Sequence, residues 1–248
     1  MKCDSSLAAP CPSPNHGERR GGPPDMILLH YTGMADDDAA EARLCDPAAE
    51  VSAHYLIHAD GRVLQLVAED RRAWHAGVAS WAGETDINSR SIGIEIANPG
   101  HDFGYPDFPD RQIEAVIALC RDILARHVIP PQRILAHSDV APLRKRDPGE
   151  KFPWQRLHEA GLGLWVSPAP LGAGPCLGPA DRGPAVAALQ TALAAFGYGI
   201  LASGIYDAVT AAVVAAFQRH FRPERVDGIA DQSTMATLDA LLARLSAG

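Results

Sequence analysis

The residues best able to do chemistry lie between Ala136 and Gly149, in Ala136-His137-Ser138-Asp139 and Lys145-Arg146-Asp147-Pro148-Gly149. The apolar run Arg133-Ile134-Leu135-Ala136 reads as a strand, so His137 sits where a strand gives way to a loop. Asp147 lies further along that loop, with Lys145 just before it. An imidazole and a carboxylate are two potential zinc ligands, and Lys145 is a cation placed to face whatever they hold. Catalytic zinc takes three protein ligands and keeps an open position. The best candidate for the third is His30, at the end of the apolar run Met26-Ile27-Leu28-Leu29. Each residue also has a plainer reading. A histidine can be satisfied by hydrogen bonds at a strand end, and Lys145, between Arg144 and Arg146, can be one charge of a solvated loop.

The elements that must position these residues follow from periodicity. Ser91-Ile92-Gly93-Ile94-Glu95-Ile96-Ala97 alternates, so the three isoleucines share one face and Glu95 the other, between small neighbours. That arrangement leaves room for a cleft above a carboxylate. Val51–Ile57 and Arg62–Val67 read as a hairpin turned at Asp60-Gly61. Residues 35–45 read as a short helix, and Trp74-His75-Ala76-Gly77 and 81–88 as loops. Pro109–Ile129 is the clearest helix, with Ile113, Val116, Ile117, Cys120, Ile123 and Leu124 at helical spacing and Pro130-Pro131 to end it. A short helix is expected over 153–160. Strands alternating with helices imply an α/β fold with a mixed central β-sheet flanked by helices.

Glycine and proline recur between 161 and 178, which marks a linker. Three helical patterns follow, Pro184–Phe196, Ala208–Phe221 and Asp231–Leu245, giving a C-terminal three-helix module. Its halves are partly similar: Leu189-Gln190 with Gly204 and Thr210, then Phe217-Gln218 with Gly228 and Thr234. The expected organisation is an N-terminal arm over 1–25, extended and partly disordered, a domain over 26–162, the linker over 163–178 and the helical module over 179–248.

The 248 residues carry a net charge of -8, which argues against nucleic acid as a partner, and 47% hydrophobic content, ample for a packed core. No apolar run is long enough to span a membrane. The five cysteines show no CxxC spacing and read as free thiols. Together with an N-terminus that lacks an apolar signal-peptide core, they suggest the cytoplasm, with the periplasm or cell envelope as the alternative.

Four separated motifs carry a family resemblance: His30-Tyr31-Thr32, Trp74-His75-Ala76-Gly77, Ile92-Gly93-Ile94-Glu95 and His137 with Lys145-Arg146-Asp147-Pro148-Gly149. Together they resemble the zinc-dependent N-acetylmuramoyl-L-alanine amidases of type 2, in the AmpD/AmiD branch. The C-terminal part resembles the small peptidoglycan-binding module fused to such enzymes, although Asp207-Ala208 stands where that module usually carries Phe-Gly. The resemblance implies Zn2+ held by His30, His137 and Asp147, Glu95 working on the attacking water, and Lys145 stabilising the transition state. It implies a muropeptide or peptidoglycan as the partner, in wall recycling, with an envelope or lytic amidase and a non-catalytic peptidoglycan receptor as alternatives. His54, His75, Trp81 and Asn98 are expected near the substrate. The helical module is read as a wall anchor or as a structural interface element.

Overall fold

The computed structural model describes residues 2–246. A mixed six-stranded sheet runs through the N-terminal two thirds. In chain order its strands are β1 (Ala8–Pro10), β3 (Met26–Tyr31), β4 (Tyr55–Ile57), β5 (Val63–Gln65), β7 (Ser91–Ile96) and β8 (Ile134–Ala136); β2 (His16–Glu18) and β6 (Arg71–Ala73) form a separate antiparallel ribbon. The spatial order is β1-β5-β4-β7-β3-β8. Within this sheet β4, β7, β3 and β8 are parallel to one another and β1 is parallel to β5, while the β4–β5 hairpin is antiparallel. Parallel strands need both faces covered, and Met26 to Leu29 of β3 are accordingly fully buried.

Helix α1 (Asp37–Cys45) starts at Asp36, whose side chain accepts from the Ala39 N–H at 2.7 Å. Helix α2 (Ile87–Arg90) leads directly into β7. Helix α3 (Asp110–Leu124) buries Ile113, Val116, Leu119, Cys120 and Ile123 against the sheet. It stops earlier than the expected Ile129. Arg126 and His127 leave the helix to reach the buried Glu69, each at 2.7 Å. That carboxylate also accepts from the Tyr55 hydroxyl at 2.6 Å, so the turn satisfies a buried charge. The hairpin loop is also longer than a two-residue turn. It spans 58–62, closed by the His58 N–H on the Arg62 carbonyl at 2.9 Å, with Gly61 at φ 86°.

Residues 1–25 were expected as an extended arm wrapping the domain, and partly disordered. The arm does pack onto the domain, but as ordered strands: β1 adds to the sheet edge beside β5 and β2 pairs with β6. Arg19 enters the interior to donate to the carbonyls of Glu69 and Ser91 at 2.8 and 3.0 Å. These pairings are non-local, so the composition of the segment does not signal them.

Short helices α4 (His137–Val140) and α5 (Trp154–Glu159) flank the loop bearing Asp147, and the Asp147–Pro148 peptide is cis. Helices α6 (Pro184–Phe196), α7 (Ala208–Phe221) and α8 (Gln232–Ser246) follow, close to the expected spans. The repeated Leu-Gln and Phe-Gln positions are explained by one device used twice. Gln190 accepts from the Gly204 N–H at 2.8 Å and donates to the Ile205 carbonyl at 2.9 Å. Gln218 accepts from the Gly228 N–H at 2.9 Å and donates to the Ile229 carbonyl at 2.8 Å. Each glutamine ties its helix to the following turn. A single apolar cluster joins the sheet to these helices.

Candidate active site

The register of the parallel strands builds the site. His30 lies opposite Glu95, and Leu29 lies opposite Ala136. His30, Glu95 and His137 therefore line up at the carboxyl ends of β3, β7 and β8, where open parallel sheets place their ligand sites. The loop after α4 returns Asp147 to the same spot, held by the Ser138 N–H on the Asp147 carbonyl at 2.9 Å.

Three ligand atoms converge. His30 Nδ1 is 2.8 Å from His137 Nδ1 and 3.2 Å from Asp147 Oδ2, and His137 Nδ1 is 3.0 Å from the same oxygen. All three side chains are buried. The hydrogen-bond network decides which nitrogens carry protons. His137 Nε2 faces the Ala76 carbonyl at 3.1 Å, so it carries the hydrogen and Nδ1 is bare. The Ser91 hydroxyl donates to the Ile87 carbonyl at 2.6 Å, so its oxygen accepts from His75 Nε2 at 3.4 Å. His75 Nδ1 then accepts from His30 Nε2 at 3.0 Å, leaving His30 Nδ1 bare as well. Two imidazole lone pairs and a carboxylate thus point at one another, which is repulsive unless a cation lies among them. Tetrahedral bonds of about 2.0–2.1 Å set ligand atoms roughly 3.3 Å apart, close to the separations here. The residues fit a zinc ion.

Electrostatics agree. Burial, reinforced by His137, lowers the His30 pKa to about 4. Burial opposes ionisation of Asp147, but the two imidazoles beside it, His137 first, hold its carboxyl far below the usual range. Glu95 goes the other way: burial first, then Asp147, push its carboxyl well above the usual range, with Lys145 opposing. Its Oε2 is buried and has no hydrogen-bond partner among the described residues. A cavity of about 390 Å³ opens over this group, lined by Tyr31, Trp74, His75, Glu95, Lys145 and Asp147 among others.

The loop Trp74-His75-Ala76-Gly77 orients both histidines, His30 through the His75 ring and His137 through the Ala76 carbonyl. Arg144 donates to that same carbonyl at 2.9 Å and fixes the loop. Gly93 makes room for the arrangement, since a Cβ there would stand 2.5 Å from the His75 ring. His75 therefore lies against His30 at the cavity wall. The other three expected substrate contacts are placed elsewhere. His54 has no solvent exposure; its Nδ1 accepts from the Gly93 N–H at 2.9 Å and its Nε2 faces the Arg71 carbonyl at 3.0 Å. Trp81 is buried edge-on against Phe196 and Tyr198, with centroids at 5.3 and 5.1 Å. Asn98 is spent on the Pro106 carbonyl and the Gly100 N–H, at 3.0 and 2.9 Å. Polar and aromatic residue types suggested contact with sugar or peptide; interior hydrogen bonds and packing use them up. Ser91, Ala76 and Arg144 were not expected at the site. A backbone carbonyl leaves no residue-type signal, and a serine in a strand gives none of its direction.

A second group, Asp38, Glu41 and His58, lies on α1 and the hairpin loop. There His58 is 3.2 Å from Glu41, and Arg62 approaches the same carboxylate at 3.9 Å, so it reads as an ion-pair cluster.

Residues 20–150 match the N-acetylmuramoyl-L-alanine amidase family, and residues 182–238 match a putative peptidoglycan binding domain. The chain is 40% identical over 231 residues to the N-acetylmuramoyl-L-alanine amidase AmiD of Escherichia coli (strain K12), covering 88% of this chain and 82% of that protein. It is 40% identical over 138 residues to the 1,6-anhydro-N-acetylmuramyl-L-alanine amidase AmpD of Enterobacter cloacae, covering 56% of this chain and 71% of that one. Among solved structures, the complex of E. coli AmiD with anhydro-N-acetylmuramic acid-L-Ala-D-gamma-Glu-L-Lys superposes with a TM-score of 0.75 at 38% identity, over 92% of each chain. AMPDH3 from Pseudomonas aeruginosa with anhydromuramic pentapeptide gives 0.74 at 35% identity, over 91% of this chain and 94% of that one. Among the described residues no helix is long and apolar enough to cross a membrane.

Proposed function

Since the chain belongs to the N-acetylmuramoyl-L-alanine amidase family, we propose that it hydrolyses the amide joining the lactyl group of N-acetylmuramic acid to L-alanine, with Zn2+ held by His30, His137 and Asp147. The observation that carries this reading is the meeting of three bare ligand atoms at a cavity that Glu95, with an unpartnered carboxylate oxygen, also lines.

Bound zinc lowers the pKa of water from about 15.7 to roughly 7 and polarises a carbonyl. The chain supplies the rest. Glu95, raised in pKa and facing the cavity, takes the proton of the attacking water and passes it to the leaving amine of L-alanine. Lys145 lines the same cavity and faces the oxygen on which charge develops, where a fixed cation contributes on the order of 3 kcal/mol. His75 and the Ala76 carbonyl hold the two imidazoles in the tautomer that leaves Nδ1 free to bind. Tyr31 and Trp74 form walls that restrict water around the scissile bond.

The preferred substrate on this reading is a soluble 1,6-anhydromuropeptide, which places the enzyme in peptidoglycan recycling. The AmiD and AMPDH3 complexes hold ligands of that class, and their likeness to this chain covers both of its parts. The cytoplasm is the compartment that suits a soluble fragment. An envelope amidase acting on intact wall is the second reading, favoured by the match of residues 182–238 to a peptidoglycan binding domain. Mass spectrometry of products from the zinc-loaded protein separates them. Free peptide from anhydromuropeptides, with sacculi barely touched, supports recycling. Fast release from sacculi supports the second reading. Cleavage of neither, with zinc bound, sinks the hydrolase reading and leaves a receptor.

A further inference from the structure

Asp139 is a carboxylate without solvent exposure, placed beside His137 on α4. Its Oδ2 accepts from the Ala136 N–H at 2.9 Å and from His220 Nδ1 at 2.7 Å, and its Oδ1 accepts from the Tyr198 hydroxyl at 2.7 Å. Ala136 ends β8, Tyr198 follows α6, and His220 lies on α7. One buried acid therefore ties the strand end that precedes His137 to α7 and to the segment after α6 in the C-terminal module. A buried charge stripped of its partners is strongly destabilising, so this acid requires the module to be docked.

The surroundings make the docking specific. The His220 ring stacks on Trp154 at 3.7 Å and 21°. Gly197 passes so close to Trp81 that a Cβ would stand 2.5 Å from its ring, and the Gly197 carbonyl accepts from the Ala82 N–H at 2.7 Å. Arg219, next to His220, lies 3.9 Å from Glu150 in the loop after Asp147. Glu150 in turn pairs with His101 at 3.1 Å. The module thus grips the 137–150 segment at both ends, and that segment carries two of the three ligands.

We propose that the C-terminal module is a brace for the metal centre, with Asp139, Tyr198 and His220 as positioning residues that hold α4, and so His137, in register with His30. The proposal rests on the ligand set assigned above. None of the three residues lines the substrate cavity, and a module serving only as a tethered wall anchor gives no reason for a buried acid behind a ligand.

The test uses the full-length chain carrying Tyr198→Phe, His220→Gln or Asp139→Asn, with Leu201→Ser, an 85% exposed position, as control. Zinc affinity is read by chelator competition, the ligand field by the visible spectrum of the Co2+-substituted protein, and kcat and KM on a soluble anhydromuropeptide that needs no anchoring. Tyr198→Phe removes one hydroxyl and keeps the packing, so it stays informative if the other variants misfold. The expected result is a loss of zinc affinity on the order of 10-fold for Tyr198→Phe and up to about 100-fold for Asp139→Asn. The cobalt spectrum shifts, kcat falls, KM stays within about two-fold, and Leu201→Ser matches wild type. Wild-type zinc affinity and an unchanged cobalt spectrum in folded Tyr198→Phe and His220→Gln overturn the brace while leaving the ligand set standing. A wild-type chain that binds no zinc overturns both.

Discussion

Glu95 and His54 show how position within the fold gives two titratable side chains different tasks. Glu95 lines the cavity and keeps one buried oxygen unpartnered among the described residues. Glu95→Gln keeps size and shape but cannot take a proton. It should leave zinc content at wild-type level, measured by atomic emission, while kcat falls by on the order of 100-fold or more. His54 is neutral in the interior. Burial, then Arg19, lower its pKa from 6.5 to about 3. The unfolded chain binds a proton below pH 6.5 and the folded chain does not until about 3, so this group lowers stability as pH falls through that window. Its share of the slope is about 1.4 kcal/mol per pH unit. Urea unfolding of wild type and His54→Gln between pH 7 and 5 measures it, and equal slopes would refute the assignment.

At the scale of elements, β7 and the loop 74–77 are fitted to each other. Gly93 shares a face with Glu95, and the His75 ring occupies the space its missing side chain leaves. Gly93→Ala should displace that ring, destabilise the fold by about 1–3 kcal/mol, and weaken zinc binding by chelator competition, because His30 loses its orienting acceptor. If zinc affinity holds while stability falls, His75 is packing rather than orientation. The strands and long helices were legible from periodicity: β3 and β7 as apolar and alternating runs, and α3, α6, α7 and α8 as 3.6-residue patterns. The early end of α3 was not, because it is set by Glu69, which stands far away in the chain.

At the scale of the whole molecule, the proposed metal site joins β3 to the 137–147 segment, and Tyr198, Arg219 and His220 contact the 137–150 segment from outside. An ion bound only by the folded chain stabilises it by mass action, by about 4 kcal/mol when zinc stands near a thousand times its Kd. Chelation should therefore lower Tm by on the order of 10 °C, followed by calorimetry, and added zinc should restore it. An unchanged Tm would mean the centre carries no ion.

The sequence by itself singled out His30, Glu95, His137, Lys145 and Asp147, the sheet with its covering helices, and the helical module. These rest on residue type, local spacing and periodicity, and the roles of the site residues on the resemblance of four short motifs to a known family; all are properties of short stretches. Only the tertiary structure decided the rest. It put His75 on His30 and the Ala76 carbonyl on His137, and it buried His54, Trp81 and Asn98. It also turned the first residues into a sheet edge and locked Asp139 between Tyr198 and His220. Each of these depends on which distant segments meet, and a hydrogen bond between residues far apart in the chain leaves no mark on the local pattern of either.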